Sequence, residues 1–259
     1  MFTPFAFIKQ EAAAAGPSYV TDGLTLYVDA NDPASYPGTG TTWTDLSGGG
    51  RNLTIGNQAA WVNTGTSFYY MDFVNGGGTN GAANYIVGGT RTPLPTGSVG
   101  TVTVCMFAAW NSSTSNYRTA VRDPAQGGGD NSFLAIVNTG TNDLGGYYDK
   151  SGAGFLDSGF NVNDLPSYST QFNYQVWEYH NTSAGSPYYQ YWYQANLNSP
   201  AGTITNANAS MNFGPATFGA RDDGNQRALK IGAILYYNKA LTLAEKTQNY
   251  DYFKATYGI

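Results

Sequence analysis

The chain reads as an all-β protein: a two-layer antiparallel β-sandwich of jelly-roll type closed by one short C-terminal α-helix. Three observations predict this. Thirteen short segments alternate with glycine-rich breakers such as Gly48–Gly50, Gly76–Gly78 and Gly127–Gly129. Apolar side chains recur every second residue at Leu229, Ile231, Ala233 and Leu235, so that they would share one sheet face. Directly afterwards the period changes to that of a helix.

In chain order, the candidate strands are 24–29, 52–55, 67–73, 84–87, 101–110, 118–122, 132–138, 143–149, 171–180, 188–196, 202–205, 215–220 and 228–237. Within 171–180, Phe172, Tyr174 and Val176 share one face, with Gln171, Asn173 and Gln175 on the other. The aromatic character changes face at Trp177, which predicts either a bulge there or a shift from exposed to covered sheet. Residues 188–193 carry rings on both faces, as expected of a strand covered on both sides. The helix is bounded by its own local code. Thr242 and Glu245 stand at capping-box spacing, and Gly258 suits the exit. Leu243, Tyr250, Phe253 and Tyr257 would form its buried stripe. Residues 1–19 read as an N-terminal docking arm led by Phe2, Phe5, Phe7 and Ile8, and residues 20–259 as one domain.

The closing segment 229–257 resembles that of laminin-G-like jelly rolls in the concanavalin A-like lectin/glucanase superfamily. A second stretch, Asp22–Asn31 through Asp32–Gly38, Thr41–Gly48 and Arg51–Thr54, resembles the opening of a branch frequent in tailed-phage virion proteins. Phe73–Gly76 with Asn84–Val87, Thr101–Trp110 and Gln175–His180 are similar to the family's inner strands. The resemblance spans about residues 20 to 259. It implies an accessory structural protein of a phage virion, a head-decoration or fibre-like subunit. Such a subunit would dock through the arm on capsid or tail proteins and assemble as a homo-oligomer, for instance a trimer. The alternative is a carbohydrate-binding adhesin or lectin module contacting host glycans, and a polysaccharide lyase or glycoside hydrolase is the third reading, because this architecture hosts all of them.

Composition narrows these classes. Only 11% of the residues are charged, against about a quarter in ordinary domains, while there are 33 glycines and 21 tyrosines. Polar work therefore falls to Asn, Ser, Thr, Gln and Tyr. The net charge of -5 and the lack of a basic patch argue against nucleic acid. No run approaches the ~20 apolar residues of a membrane helix. Met1–Ile8 is apolar, but no basic residues precede it and Lys9 follows at once, so it is not read as a signal peptide. Synthesis in a host cytoplasm and release in a virion is the expectation. Cys105, the one cysteine, lies in an apolar strand and reads as a small buried hydrophobe.

Catalysis finds little support. Glycoside hydrolysis needs two facing carboxylates. The three glutamates are dispersed: Glu11 in the arm, Glu245 at the helix cap and Glu178 alone on its strand. The tetrapeptide Tyr252–Ala255 matches an alginate-lyase strand motif but falls in the expected helix. The one histidine, His180, and the one cysteine lie in separate segments, and no Gly-x-Ser-x-Gly elbow is present. The protein is therefore expected to be non-enzymatic. Candidate glycan contacts are Tyr188, Tyr191, Trp192 and Tyr193, whose rings could stack on sugars. The candidate cofactor is calcium, on Asp29 and Asp32 in one Asx-rich turn and Asp222 and Asp223 in another. The competing reading is that such turns bond their own backbone.

Overall fold

The computed structural model describes residues 17–55, 60–65, 68–73, 86–88, 100–110, 112, 117–122, 134–138, 140–148, 154–181, 188–205, 217–219 and 228–258. The strands are β1 (Leu24–Asp29), β2 (Thr42–Trp43), β3 (Leu53–Ile55), β4 (Ala60–Asn63), β5 (Tyr69–Asp72), β6 (Ile86–Gly88), β7 (Gly100–Trp110), β8 (Arg118–Arg122), β9 (Leu134–Val137), β10 (Asp143–Tyr148), β11 (Gly154–Asn161), β12 (Asn173–Asn181), β13 (Tyr188–Tyr193), β14 (Gly202–Ile204), β15 (Thr217–Phe218) and β16 (Leu229–Tyr237), followed by the helix α1 (Leu243–Tyr257).

They form two antiparallel sheets. One runs β14-β13-β12-β7-β16-β5-β4, with β1 also paired to β16, and the other runs β11-β10-β9-β8-β15-β6-β3-β2. The first sheet carries the helix on its outer side. Its edge strand β14 meets β11 of the second sheet closely: a methyl at Gly202 would lie 2.7 Å from Ser158 Oγ. The sandwich is thus tight along that side. Alternation sends Val104, Met106, Trp110, Trp177, Tyr179 and Tyr191 into the inter-sheet core. It sends Cys105, Phe107, Tyr174, Val176, Trp192 and Tyr237 to the layer between sheet and helix.

Two expectations change at this level. The alternation of Leu229, Ile231, Ala233 and Leu235 does not hold across β16. The register slips between Ile231 and Ala233, so Leu229 and Ile231 face the inter-sheet core, whereas Ala233 and Leu235 face the helix. Gly232 marks the slip, and a methyl there would come within 3.0 Å of the Phe107 ring. Conversely, β12 has no bulge at Trp177. Its pairing with β7 and β13 is continuous. On the face that reads as polar, Asn173 and Gln175 are buried and Gln171 is exposed; Gln175 accepts from Trp110 Nε1 at 2.8 Å and Tyr191 OH at 3.1 Å and donates to the Ala108 carbonyl at 3.1 Å.

Candidate functional site

The helix is held by local caps and by polar clasps. Thr242 Oγ1 accepts from the Glu245 amide at 3.3 Å, and Glu245 Oε2 accepts from the Thr242 amide at 2.8 Å, completing the capping box. Gly258 takes the left-handed conformation (φ 68°) and its N–H donates to Lys254 O at 3.0 Å. The buried stripe departs from expectation. Phe253 is fully buried and Tyr250 and Tyr257 are half-buried, but Leu243 is 46% exposed and Lys246 and Asn249 are buried instead. Beneath the first turn the sheet presents a carboxylate, Glu178, and it is the Lys246 ammonium that meets it.

Glu178 is 3% exposed and both its oxygens are engaged. Oε1 accepts from Lys246 Nζ at 2.9 Å and from the Leu241 amide at 3.1 Å, and Oε2 from His180 Nε2 at 3.1 Å. Burial works to raise the Glu178 carboxyl, but His180, Lys246 and the Leu241 amide together outweigh it and hold it below the usual range. Lys246 Nζ also lies 3.4 Å above the Trp192 ring. His180 Nδ1 is 3.2 Å from Thr101 Oγ1, and its ring stacks on Tyr188 at 4.4 Å and 13°.

The register gives this end of the sheet a regular surface. Thr101, His180 and Tyr188 form one row, and Thr103, Glu178, Gln190 and Thr203 form the next. Tyr188, His180 and Gln190 are half-buried and Thr203 is exposed, so the outer part of these rows reaches solvent beside the helix. A shallow depression lined by Pro17, Ser18, Ala244, Thr247, Gln248 and Asp251 lies elsewhere, along the helix, and touches none of them.

At the other end of the helix, Asp29 is 1% exposed. Oδ1 accepts from Tyr257 OH at 2.5 Å and the Asn31 amide at 2.7 Å, and Oδ2 from Tyr27 OH at 2.9 Å, with Tyr252 OH a further 2.7 Å from Tyr27 OH. Burial here prevails over these donors and raises the Asp29 carboxyl. Midway, Asn249 accepts from the Val20 amide at 2.9 Å and donates to Tyr237 OH at 3.0 Å. Residues 18–20, partly assigned to an arm from sequence, lie on the helix: Ser18 O accepts from Gln248 Nε2, and the Tyr19 ring packs on Tyr27 and Tyr252.

These contacts sort the sequence candidates. Tyr188 stays accessible. Tyr191 is buried between the sheets and Trp192 lies under Lys246, so these two serve as packing rings, while Tyr193 is half-buried with its ring against Phe160. Asp29 faces tyrosine hydroxyls, and Asp32 Oδ1 accepts from the Ala34 amide at 2.8 Å, a turn bond to its own backbone. Asp222, Asp223, Phe2, Phe5, Phe7 and Ile8 lie outside the described residues. Among the described residues no group of three or more His, Cys, Asp or Glu side chains converges. Cys105 is fully buried, and burial pushes its thiol up to about 12. Sequence reasoning missed Lys246, Asn249, Gln190 and Thr203. A lysine at helical spacing from Phe253 was the available signal for the first.

No protein-family model and no curated protein matches the chain. Solved structures do. The binding domain of Paraclostridial Mosquitocidal Protein 1 is 11% identical, with a TM-score of 0.56 over 90% of this chain and 53% of that one. Domain 4 of AbnA, an extracellular GH43 arabinanase of Geobacillus stearothermophilus, in complex with arabinotriose, is 13% identical, with 0.54 over 87% of this chain and 97% of that domain. A Trypanosoma rangeli sialidase in complex with 2,3-difluorosialic acid is 12% identical, with 0.57 over 98% of this chain and 36% of the enzyme. The chain therefore spans about half or less of the first and third of these, and nearly all of the second. At such identities the likeness shows the fold alone, an antiparallel β-sandwich, and no virion protein is among the three.

Proposed function

We propose that the chain is a non-catalytic carbohydrate-binding module whose site is the open end of the helix-side face, formed by Tyr188, His180, Gln190 and Thr203. The Tyr188–His180 stack carries this reading. Glu178 and Thr101 fix the imidazole from behind, so the phenol ring is presented flat and rigid at a partly exposed position. Gln190 and Thr203, opposite one another on β13 and β14, supply an amide and a hydroxyl for sugar hydroxyl groups. The arabinanase domain, seen with arabinotriose and matched over nearly its whole length, supports a binding role for this architecture.

A catalytic reading fares worse. A general acid needs a raised carboxyl, and Glu178 is held low with both oxygens engaged. Its partners are a lysine, a histidine and an amide, with no second carboxylate among them. The virion setting expected from the opening motif draws no support from the likenesses to solved structures, and the proposal stands without it.

A glycan array tests this. The wild-type protein should retain at least one polysaccharide class, and Tyr188→Ala should weaken that binding about tenfold, about 1.4 kcal/mol, at unchanged thermal midpoint. Undiminished binding by Tyr188→Ala would remove the site, and absence of any binding by the wild-type protein would remove the function.

A further inference from the structure

Four of the five tryptophans are buried, Trp43 and Trp110 at 0%, Trp177 at 4% and Trp192 at 5% exposure. The fifth, Trp61, is half-buried on the edge strand β4. From this difference and the surroundings of Trp61 we infer a second carbohydrate-contact site at this rim of the sandwich, taking the apolar face of a sugar ring. It rests on the carbohydrate-binding reading but not on Tyr188.

The hairpin β4–β5 pairs Trp61 with Met71 and Asn63 with Tyr69, so Trp61 and Tyr69 are diagonal neighbours on one face. Their rings lie 4.6 Å apart and 3° from parallel. Both are half-buried. Tyr36 approaches the indole at 6.1 Å. The indole and the Tyr36 ring are each anchored to backbone. Trp61 Nε1 donates to Ala30 O at 3.2 Å, and Tyr36 OH donates to Gly40 O at 2.9 Å. The loop between them is pressed onto the indole at Gly38, whose φ of 87° favours glycine and where a methyl would sit 3.0 Å from Trp61 Cζ3. The same loop carries Thr39 and Thr41, both exposed.

A tryptophan placed for packing alone would be expected to share the burial of the other four. A ring pair stacked in parallel at a partly open rim, its indole anchored by Ala30 and Gly38, instead provides a flat apolar surface whose indole has little conformational entropy to lose on binding. Between this rim and Tyr188 on β13 lie β12, β7, β16 and β5, five strand steps or roughly 24 Å. The two sites also lie on opposite faces of the sheet, since Tyr188 shares the helix-side face with Glu178 and Trp61 packs against the inter-sheet core. They would bind separate oligosaccharides independently.

The test uses tryptophan emission, because Trp61 is the one indole with substantial solvent access. Arabinotriose, cellotriose, chitotriose and maltotriose are each titrated at millimolar concentration into the wild-type protein, Tyr188→Ala and Trp61→Phe, with thermal melts confirming that all three are folded. The inference expects at least one trisaccharide to shift the emission to the blue and protect it from acrylamide in the wild-type protein and in Tyr188→Ala, and to do neither in Trp61→Phe. An unchanged wild-type emission with all four sugars, while Tyr188-dependent glycan binding persists, overturns the second site alone. A response that survives Trp61→Phe also overturns it. Failure of every sugar to bind by emission or on the array overturns both sites together.

Discussion

Glu178 and Asp29 are carboxylates of nearly equal burial at opposite ends of one helix, yet their environments drive them in opposite directions. At the N-terminal end, Glu178 meets an ammonium, an imidazole and an amide, and its charged form is favoured. At the C-terminal end, Asp29 meets two tyrosine hydroxyls and an amide, and burial prevails, so its neutral form is favoured relative to an ordinary aspartate. Burial sets the cost of a charge, and the formal charge of the partners decides whether that cost is recovered. The N-terminal clasp is an ion pair whose His180 arm extends to the open patch. The C-terminal clasp is a neutral-donor lock that ties β1 to the end of the helix.

The largest effect should come from breaking the ion pair on one side. Lys246→Met leaves Glu178 buried without its cation and should cost about 3–5 kcal/mol in urea denaturation. Glu178→Leu combined with Lys246→Met should recover most of that loss. If the double variant is no better than the single, the pair is not the clasp described. At the opposite end, Tyr257→Phe removes one hydroxyl from Asp29 but leaves the Tyr27 and Asn31 donors, and should cost about 1–3 kcal/mol. A loss as large as that of Lys246→Met would erase the distinction between the two ends. Thr242→Ala removes only the cap and should cost about 1 kcal/mol.

The pH dependence sharpens the contrast in sign. Glu178 is held below its ordinary 4.5, so its stabilisation is fully present above that value and is lost as pH falls through its folded pKa. Asp29 is raised above its ordinary 3.8, so its contribution is fully present below that value and is lost as pH rises through its folded pKa. Urea melts between neutral pH and pH 3 should therefore show Glu178→Gln losing less stability on acidification than the wild-type protein, and Asp29→Asn losing more. Parallel profiles for the two variants would contradict the opposed assignments.

What could be read from the chain alone follows the range of each interaction. The caps at Thr242, Glu245 and Gly258 were legible because their partners lie within four residues. Rings on both faces of β13 correctly signalled a strand covered on both sides, with Tyr191 inward and Trp192 under the helix. Three strands were not foreseen. β2 and β4 are only two and four residues long, and β11 carries Gly154, Asp157 and Gly159, which read as turn residues. The clasps were invisible for a different reason. Asp29 and Tyr257 are 228 residues apart, and nothing local to either marks it as a partner. The Asx-rich turn at Asp29 therefore suggested a metal where the fold supplies tyrosines. Of the candidate site, Tyr188 was named from its ring, but Gln190 and Thr203 join it only through strand register.

The most direct test of the central claim is a two-dimensional amide NMR titration of the wild-type protein with the polysaccharide fragment that binds best on the array. The account predicts saturable shifts clustered at His180, Tyr188, Gln190 and Thr203, with the sugar's own signals unchanged over time. Shifts that avoid those four residues, or new reducing-end sugar signals from cleavage, would contradict it.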